Sequence, residues 1–305
     1  ERDLLALNEI FPDAPLFTSV YNPKLAPWAK KFPRIITSFL QKIPYAKDKH
    51  EHFAHLMPIA FESFDFSKYD LVISVTSEAA KGIITKPDTL HICYMLTPTR
   101  YLWSHHKYYF ENLPLSFKRF PMFRELSRPL IWYLRKWDKV AAQRPDLIIS
   151  QSTVVQKRIK KYYGRESDLI FPPVEVDRFK ILDSRFKKKS YFLYVSRLIP
   201  YKRADIAIEA FNELGLPLVI VGKGSEEKNL MKMAKANIKF VRELTDSQLA
   251  SYYQKARALI FPQEEDFGLV VLEANAAGTP VIAYKNGGAL DTVIDGKTGI
   301  FFDKQ

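Results

Sequence analysis

Arg197 and Lys202 follow directly on the run Tyr191-Phe192-Leu193-Tyr194-Val195-Ser196. That run reads as a β-strand, and cations delivered at a strand's C-terminal end suit an anion site, although either residue alone reads as well as part of a solvated basic loop. Arginine forks onto a phosphate and lysine adds a compact point charge, each such charged hydrogen bond contributing roughly 1.5–3 kcal/mol. A second group lies in Glu265-Asp266-Phe267-Gly268-Leu269-Val270-Val271-Leu272-Glu273-Ala274. Here a strand ends at Phe261, an acidic loop follows, and a helix begins near Leu269 with its free backbone N–H groups pointing at the loop. Glu265 in the loop and Glu273 along the helix are too far apart to work as a general acid–base pair, so they face different parts of any ligand. An acidic helix start that complements the macrodipole, worth ~0.3–1 kcal/mol, would account for Glu265 alone. Glu273 stands among Leu269, Val270, Leu272, Ala274, Ala276 and Ala277, where a carboxylate requires a specific partner. A third element, Val219-Ile220-Val221-Gly222-Lys223-Gly224-Ser225, places a Gly-X-Gly turn between strand and helix and so allows close backbone approach by a ligand. It lacks the third glycine of a dinucleotide loop, and a dehydrogenase reading would also need an acidic residue ~20 positions on.

The elements that position these groups are short β-branched and aromatic runs alternating with helical patterns, the signature of βαβ units and parallel sheets. Strands are predicted at Leu16–Tyr21, Arg34–Phe39, Leu71–Thr76, Leu90–Met95 and Asp146–Ser150, then at Tyr191–Ser196, Pro217–Gly222, Ile238–Val241, Ala258–Phe261, Pro280–Tyr284 and Gly299–Phe302. Helices are predicted at Arg203–Leu214, Ser225–Ala236 and Leu269–Ala276. Phe171-Pro172-Pro173-Val174 and the residues to Phe179 read as an extended connector, because a double proline disfavours helix and ladder alike. A hinge near residue 180 then separates domains 1–180 and 181–305.

At 305 residues the chain exceeds the ~250 at which a single core stops growing, so two domains are expected. The 47% hydrophobic content excludes a disordered chain, and no apolar run approaches the ~18 residues of a membrane span. A lone cysteine, Cys93, rules out an internal disulfide, and with no leader at the start a reducing cytoplasm is the expected compartment. Leu4, Leu5, Leu7, Ile10 and Phe11 open the chain with helical spacing, which suggests a missing first strand; the end at Gln305 suggests missing tail residues as well. The net charge of +12 points to nucleic acid, an anionic membrane face or phosphorylated small molecules.

In order and spacing, Ser196-Arg197 with Lys202, Gly222-Lys223-Gly224, Glu265 to Glu273, Asn286-Gly287-Gly288 and Asp295-Gly296-Lys297-Thr298-Gly299 resemble the second domain of family 4 GT-B glycosyltransferases. The likeness runs through the first half and is greatest to mannosyltransferase-like members that build bacterial surface polysaccharides. It implies an α/β fold of two Rossmann-like domains with parallel sheets facing across a cleft, the first on the acceptor side and the second binding the nucleotide sugar. It implies that Arg197 and Lys202 neutralise the donor diphosphate, Glu273 binds the ribose and Glu265 approaches the transferred sugar. Backbone around Phe267, Gly268 and Leu269, with Gly222, would cradle the donor, and Arg242-Glu243-Leu244 would contact its base. A retaining hexosyl transfer from a GDP- or UDP-hexose, GDP-mannose among them, to a glycan or lipid-linked acceptor follows, without metal or cofactor: no Asp-X-Asp triplet exists, and two cations supply the charge.

The family's histidine at the end of the strand His91-Ile92-Cys93-Tyr94-Met95 is Leu96 here, which cannot hydrogen-bond a sugar hydroxyl. Either catalysis proceeds without it or the chain is a nucleotide-sugar-binding subunit of impaired turnover, and His105 and His106 read better as surface residues than as substitutes. Between Arg100 and Lys139, basic residues mix with Trp103, Trp132, Tyr133, Trp137 and other aromatics. This suits peripheral contact with an inner membrane face, with Arg100 and Trp103 towards the acceptor, as well as it suits plain packing. No nucleic-acid motif accompanies it, and the spaced His50, His52 and His55 read as a surface loop rather than a metal site.

Overall fold

The computed structural model describes residues 1–104, 106, 123–179 and 189–305, with residues 123–127 described by their backbone alone. It divides into two compact units, Glu1–Pro173 and Val174–Gln305. The boundary precedes the expected residue 180 because Phe179 packs into the second unit's core, 3% exposed and edge-on to Tyr253 at 5.7 Å. The expected hinge itself, and Lys187 and Lys188 of the basic run after it, lie outside the described residues.

In the first unit, α1 (Arg2–Ile10) leads to β1 (Leu16–Thr18), which pairs in parallel with β2 (Ile35–Thr37). Both strands are shorter than the apolar runs that predict them. Tyr21 gives its backbone N–H to the Gln41 side-chain oxygen at 2.7 Å and takes the Gln41 amide at 3.0 Å, which turns the chain out of the ladder. After α2 (Met57–Glu62) come β3 (Leu71–Thr76), β4 (Leu90–Met95), α3 (Phe123–Ala141), β5 (Leu147–Ser150), α4 (Thr153–Tyr163) and a two-residue β6 (Asp168–Leu169). Strands β3 to β6 form one parallel sheet in chain order. Its core gathers Cys93, Met95, Ile148, Val155 and Ile159, and burial pushes the Cys93 thiol up to about 11. Among the described residues no helix is long and apolar enough to cross a membrane.

A buried ion pair ties this unit's helices to its loops. Lys81, 1% exposed, places Nζ 2.5 Å from Asp138 of α3 and also donates to the Glu78 carbonyl and Thr99. Asp138 accepts in addition from Thr99 at 2.8 Å, Trp103 Nε1 at 2.7 Å and Tyr163 at 2.7 Å. Two charges can be held out of water only with such complete pairing, since each alone carries a desolvation penalty of several kcal/mol.

The second unit holds a six-stranded parallel sheet in the order β12-β11-β10-β7-β8-β9. Its elements run β7 (Tyr191–Val195), α5 (Ala204–Leu214), β8 (Leu218–Val221), α6 (Glu227–Met233), β9 (Ile238–Val241), α7 (Asp246–Lys255), β10 (Ala256–Phe261), α8 (Leu269–Ala276), β11 (Val281–Tyr284), α9 (Ala289–Thr292) and β12 (Gly299–Phe302). Central strands are apolar on both faces because helices cover both. Leu193, Val219, Leu259 and Phe261 point to one core, while Tyr194, Leu218, Ile220 and Ile260 point to the other. Helix α6 stops at Met233, short of the predicted Ala236. Asn212 takes the chain there, donating to the Met233 carbonyl at 2.7 Å and accepting the Lys235 N–H at 2.9 Å.

Lys81→Met leaves Asp138 charged and buried, and should cost the first unit about 3–5 kcal/mol. Urea unfolding followed by tryptophan fluorescence reads that unit alone, since Trp28, Trp103, Trp132 and Trp137 all lie in it. His91, buried beside Ser74 at 2.8 Å, is held neutral by desolvation down to about pH 4, from an ordinary value of 6.5. The stability this contributes is full above pH 6.5 and is lost as pH falls towards 4, by at most ~1.4 kcal/mol per unit. His91→Gln should flatten that decline in a pH series of melting temperatures.

Candidate functional site

In the second unit's sheet, chain order reverses between β7 and β10: β8 and β9 build outward on one side, β11 and β12 on the other. Loops leaving the C-terminal ends of β7 and β10 therefore diverge to opposite faces and open a crevice, the place where parallel α/β sheets bind ligands. The loop after β7 carries Arg197 and Lys202, and the loop after β10 carries Glu265, Phe267 and Gly268.

Across that crevice Lys202 Nζ meets Glu265 Oε1 in a direct hydrogen-bonded ion pair. The lysine side chain is 7% exposed and the glutamate 17%. Sequence reasoning took Glu265 as either a ligand group or a helix-start charge, but α8 has no acidic residue in its first turn and Glu265 answers Lys202 instead. Lys202 is fixed from below, where its carbonyl accepts the hydroxyl of the buried Tyr194 at 2.9 Å. Arg197 is exposed, with its guanidinium donating to the Tyr201 phenol at 3.2 Å.

Helix α8 starts at Leu269 with Gly268 at φ +90° as its N-cap and no side chain capping it. Its first N–H groups therefore face the crevice beside the ion pair. Further along, Glu273 is 5% exposed, and its Oε2 accepts the Tyr253 hydroxyl at 3.1 Å. Tyr253, itself fully buried, is a site residue that sequence reasoning missed. The signal for it was the requirement that Glu273 have a partner, which names no position along the chain.

Gly222 and Gly224 are required by the fold itself. A Cβ on Gly222 (φ +147°) would stand 1.9 Å from the Ser196 carbonyl oxygen, and one on Gly224 would stand 2.1 Å from that of Leu198. The close approach is by the chain's own loop 196–198, which Leu198 and Lys223 stitch to the glycine turn with a 3.0 Å hydrogen bond. Gly287 and Gly288 act in the same way. The Gly288 N–H donates to the Glu265 carbonyl at 2.8 Å, and a Cβ there would lie 2.3 Å from Phe267 Cα. The four glycines thus hold four loops together in two pairs, 196–198 with 222–224 and 264–267 with 286–288.

After β9, exposed Arg242 donates to Glu227 at 2.5 Å and Glu243 pairs with Lys223 at 2.9 Å, which holds the Glu243 carboxyl below its ordinary range. Leu244 packs on the core. Glu243 (φ +38°) and Arg203 (φ +52°) are two non-glycine residues in the left-handed region. Both sit in loops at this edge of the sheet, where backbone strain is commonly stored.

The first unit's candidates separate. Trp103 gives its indole N–H to Asp138 and stacks on Tyr162 at 5.3 Å, and it remains half-buried. Arg100 is half-buried in the same segment. Leu96 follows β4, its N–H on the Thr76 carbonyl at 2.8 Å. His106 bonds the Tyr101 carbonyl at 3.1 Å. His105 and residues 107–122 of the basic aromatic stretch lie outside the described residues, as do the side chains of 123–127. His50, His52 and His55 fall in 3₁₀ turns rather than an irregular loop, and among the described residues no three of His, Cys, Asp or Glu gather at one point.

A doubly wound parallel sheet with cations and a helix start lacking a side-chain cap at its switch point defines an α/β domain of the kind that binds anionic ligands at that edge. More particularly, residues 177–305 match the family model of glycosyl transferases group 1. A GDP-mannose-dependent alpha-(1-6)-phosphatidylinositol monomannoside mannosyltransferase of Mycolicibacterium smegmatis is 30% identical over 187 residues, 52% of this chain and 49% of that protein. D-inositol 3-phosphate glycosyltransferase 2 of Catenulispora acidiphila is 29% identical over 185 residues, 50% of this chain and 43% of its own. The chain thus spans less than half the length of both curated relatives. Anabaena HepE in complex with UDP-glucose superposes with a TM-score of 0.64 at 18% identity, over 98% of this chain and 80% of that one. Sucrose-phosphate synthase from Thermosynechococcus elongatus superposes at 0.63 and 20% identity, over 88% and 69%. The fold is accordingly that of GT-B glycosyltransferases.

Gly288→Ala should destabilise the second unit by ~1–3 kcal/mol by forcing loops 264–267 and 286–288 apart. Gly164→Ala, whose Cβ would meet nothing within 4 Å, serves as the control in a thermal melt. It should cost no more than the ~1 kcal/mol of a strained positive φ.

Proposed function

We propose that this protein transfers a hexose from a nucleotide sugar to a glycan or lipid-linked acceptor. The observation that carries the reading is the Lys202–Glu265 pair, held at the switch point beside the uncapped start of α8. In this reading the donor diphosphate enters between Lys202, Arg197 and the N–H groups of Phe267 to Leu269. Lys202 exchanges its carboxylate for phosphate, and Glu265 is released to approach the sugar. Glu273, oriented by Tyr253, receives the ribose hydroxyls, and Arg242 to Leu244 border the base. As the sugar–phosphate bond breaks, negative charge grows on the leaving diphosphate where both cations and the helix start already point, and fixed charges of this kind cost no reorganisation at the moment of reaction. Retention of configuration, independence of metal and GDP-mannose as donor are part of the proposal, the last favoured by the mycolicibacterial relative.

Leu96 favours a second reading, in which the donor binds but turnover is impaired, because an aliphatic side chain supplies no hydrogen bond at the end of β4. Peripheral membrane contact has support in α3, where Trp132 and Tyr133 are 60% and 50% exposed and Lys136 Nζ stands 3.9 Å over the Trp132 ring. Aromatic and basic groups presented together suit an anionic interface.

A thermal-shift panel of UDP, GDP, ADP, their hexose conjugates and NAD, without added metal, should show stabilisation by one nucleoside diphosphate that Lys202→Ala abolishes. Transfer by that variant should fall ~10²–10³-fold. Glu265→Gln should retain diphosphate binding and lose transfer. If no nucleotide shifts the folded protein, the donor site is refuted. Donor binding without transfer, restored by Leu96→His, would establish the second reading.

A further inference from the structure

Between Arg197 and Lys202 the chain makes one tight turn. Pro200–Lys202 is a 3₁₀ helix with proline at its start, whose ring presets the φ that the turn requires. The Lys202 N–H bonds the Ile199 carbonyl at 3.0 Å, and the Arg203 N–H bonds that of Pro200 at 3.1 Å. Arg203, at φ +52°, ends the turn in the left-handed region, which is unfavourable for a residue with a β-carbon. Its own side chain is held by Asp205 at 3.2 Å. The turn so fixed carries Tyr201, half-buried, beside both cations of the crevice.

Tyr201 touches each of them. Its phenol oxygen accepts from the Arg197 guanidinium at 3.2 Å, and Lys202 Nζ stands 5.1 Å from the centre of its ring. An aromatic ring is negative on its face and attracts a cation within ~6 Å of its centre, while the phenol oxygen supplies a second negative point at the rim. One side chain therefore holds two like charges on the same side of the crevice. Without the phenol, exposed Arg197 would spread over many rotamers, and ordering it would become a cost of ligand binding. Lys202 uses the ring for a different reason. When phosphate displaces the Glu265 carboxylate, the buried ammonium still has the ring face beside it throughout the exchange. A guanidinium at the rim and an ammonium over the face are set apart by the ring, an arrangement that suits two linked phosphoryl groups rather than one.

We propose that Tyr201 is a positioning residue, which sets Arg197 and Lys202 to meet the two phosphoryl groups of a nucleoside diphosphate together. This role presupposes the donor site proposed above, and it is exerted through the two cations rather than on the sugar. The phenol oxygen serves Arg197 and the ring serves Lys202, so two substitutions separate the two shares.

Titration calorimetry with UDP, GDP and ADP, and with UMP, GMP and AMP, tests it on the wild type, Tyr201→Phe and Tyr201→Leu. Tyr201→Phe removes the oxygen and keeps the ring, and should weaken the preferred diphosphate ~10-fold. Tyr201→Leu removes both and should weaken it ~10²-fold. The preference for that diphosphate over its monophosphate should shrink by the same factors, which a general loosening of the fold would not produce. On an Arg197→Ala background Tyr201→Phe should have no further effect, because the partner through which the oxygen acts is gone. Unchanged diphosphate affinity in Tyr201→Phe, an equal loss for the monophosphate, or a full further loss on the Arg197→Ala background would each overturn this role and leave the donor site standing. A folded wild type that binds none of these nucleotides would refute the donor site, and the role of Tyr201 with it.

Discussion

An ammonium group 7% exposed must have an anion beside it, and in the second unit that anion is a carboxylate from the other side of the sheet's switch point. The geometry of the crevice follows from this pairing. Lys202 is delivered by the loop after β7 and Glu265 by the loop after β10, and these strands are neighbours whose following helices cover opposite faces. The pair bridges the gap that topology opens. It keeps the two groups in place and mutually neutral, so that neither stands as a bare buried charge.

The first unit solves the same problem in a permanent way. Lys81 and Asp138 are also buried and paired, but here Thr99, Trp103 and Tyr163 satisfy the carboxylate from three further directions. Its partners come from three separate segments, so its role is to join α3, α4 and the loop after β4. Trp103, which composition and position offered as an acceptor contact, is absorbed into that network.

The second unit's strands were legible to within about two residues, since the central ones are buried on both faces and read as unbroken apolar runs bounded by glycine, proline or charge. Arg197, Lys202, Glu265 and Glu273 were legible as types set at strand and helix ends. What sequence could not supply were contacts between distant segments. Asn212 decides where α6 stops, Tyr253 answers Glu273, and Gln41 diverts the chain after β1. Gly222 and Gly224 show a subtler gap: the residue type was read properly as a demand for close approach, but the sequence did not reveal that Ser196 and Leu198 of the chain itself approach so closely. Phe179 moved the unit boundary because one aromatic side chain outweighed a run of connector-like residues.

Cys93 lies on β4 with no exposure and a thiol pushed up to about 11, and it is the one cysteine in the sequence. A thiol reagent at neutral pH can attack only thiolate, and only when the strand has come free of its core. Its modification rate is therefore a clock for opening of the first unit, silent to whatever the second unit does. The molecule carries, without any engineering, a probe that times the opening of one of its two units.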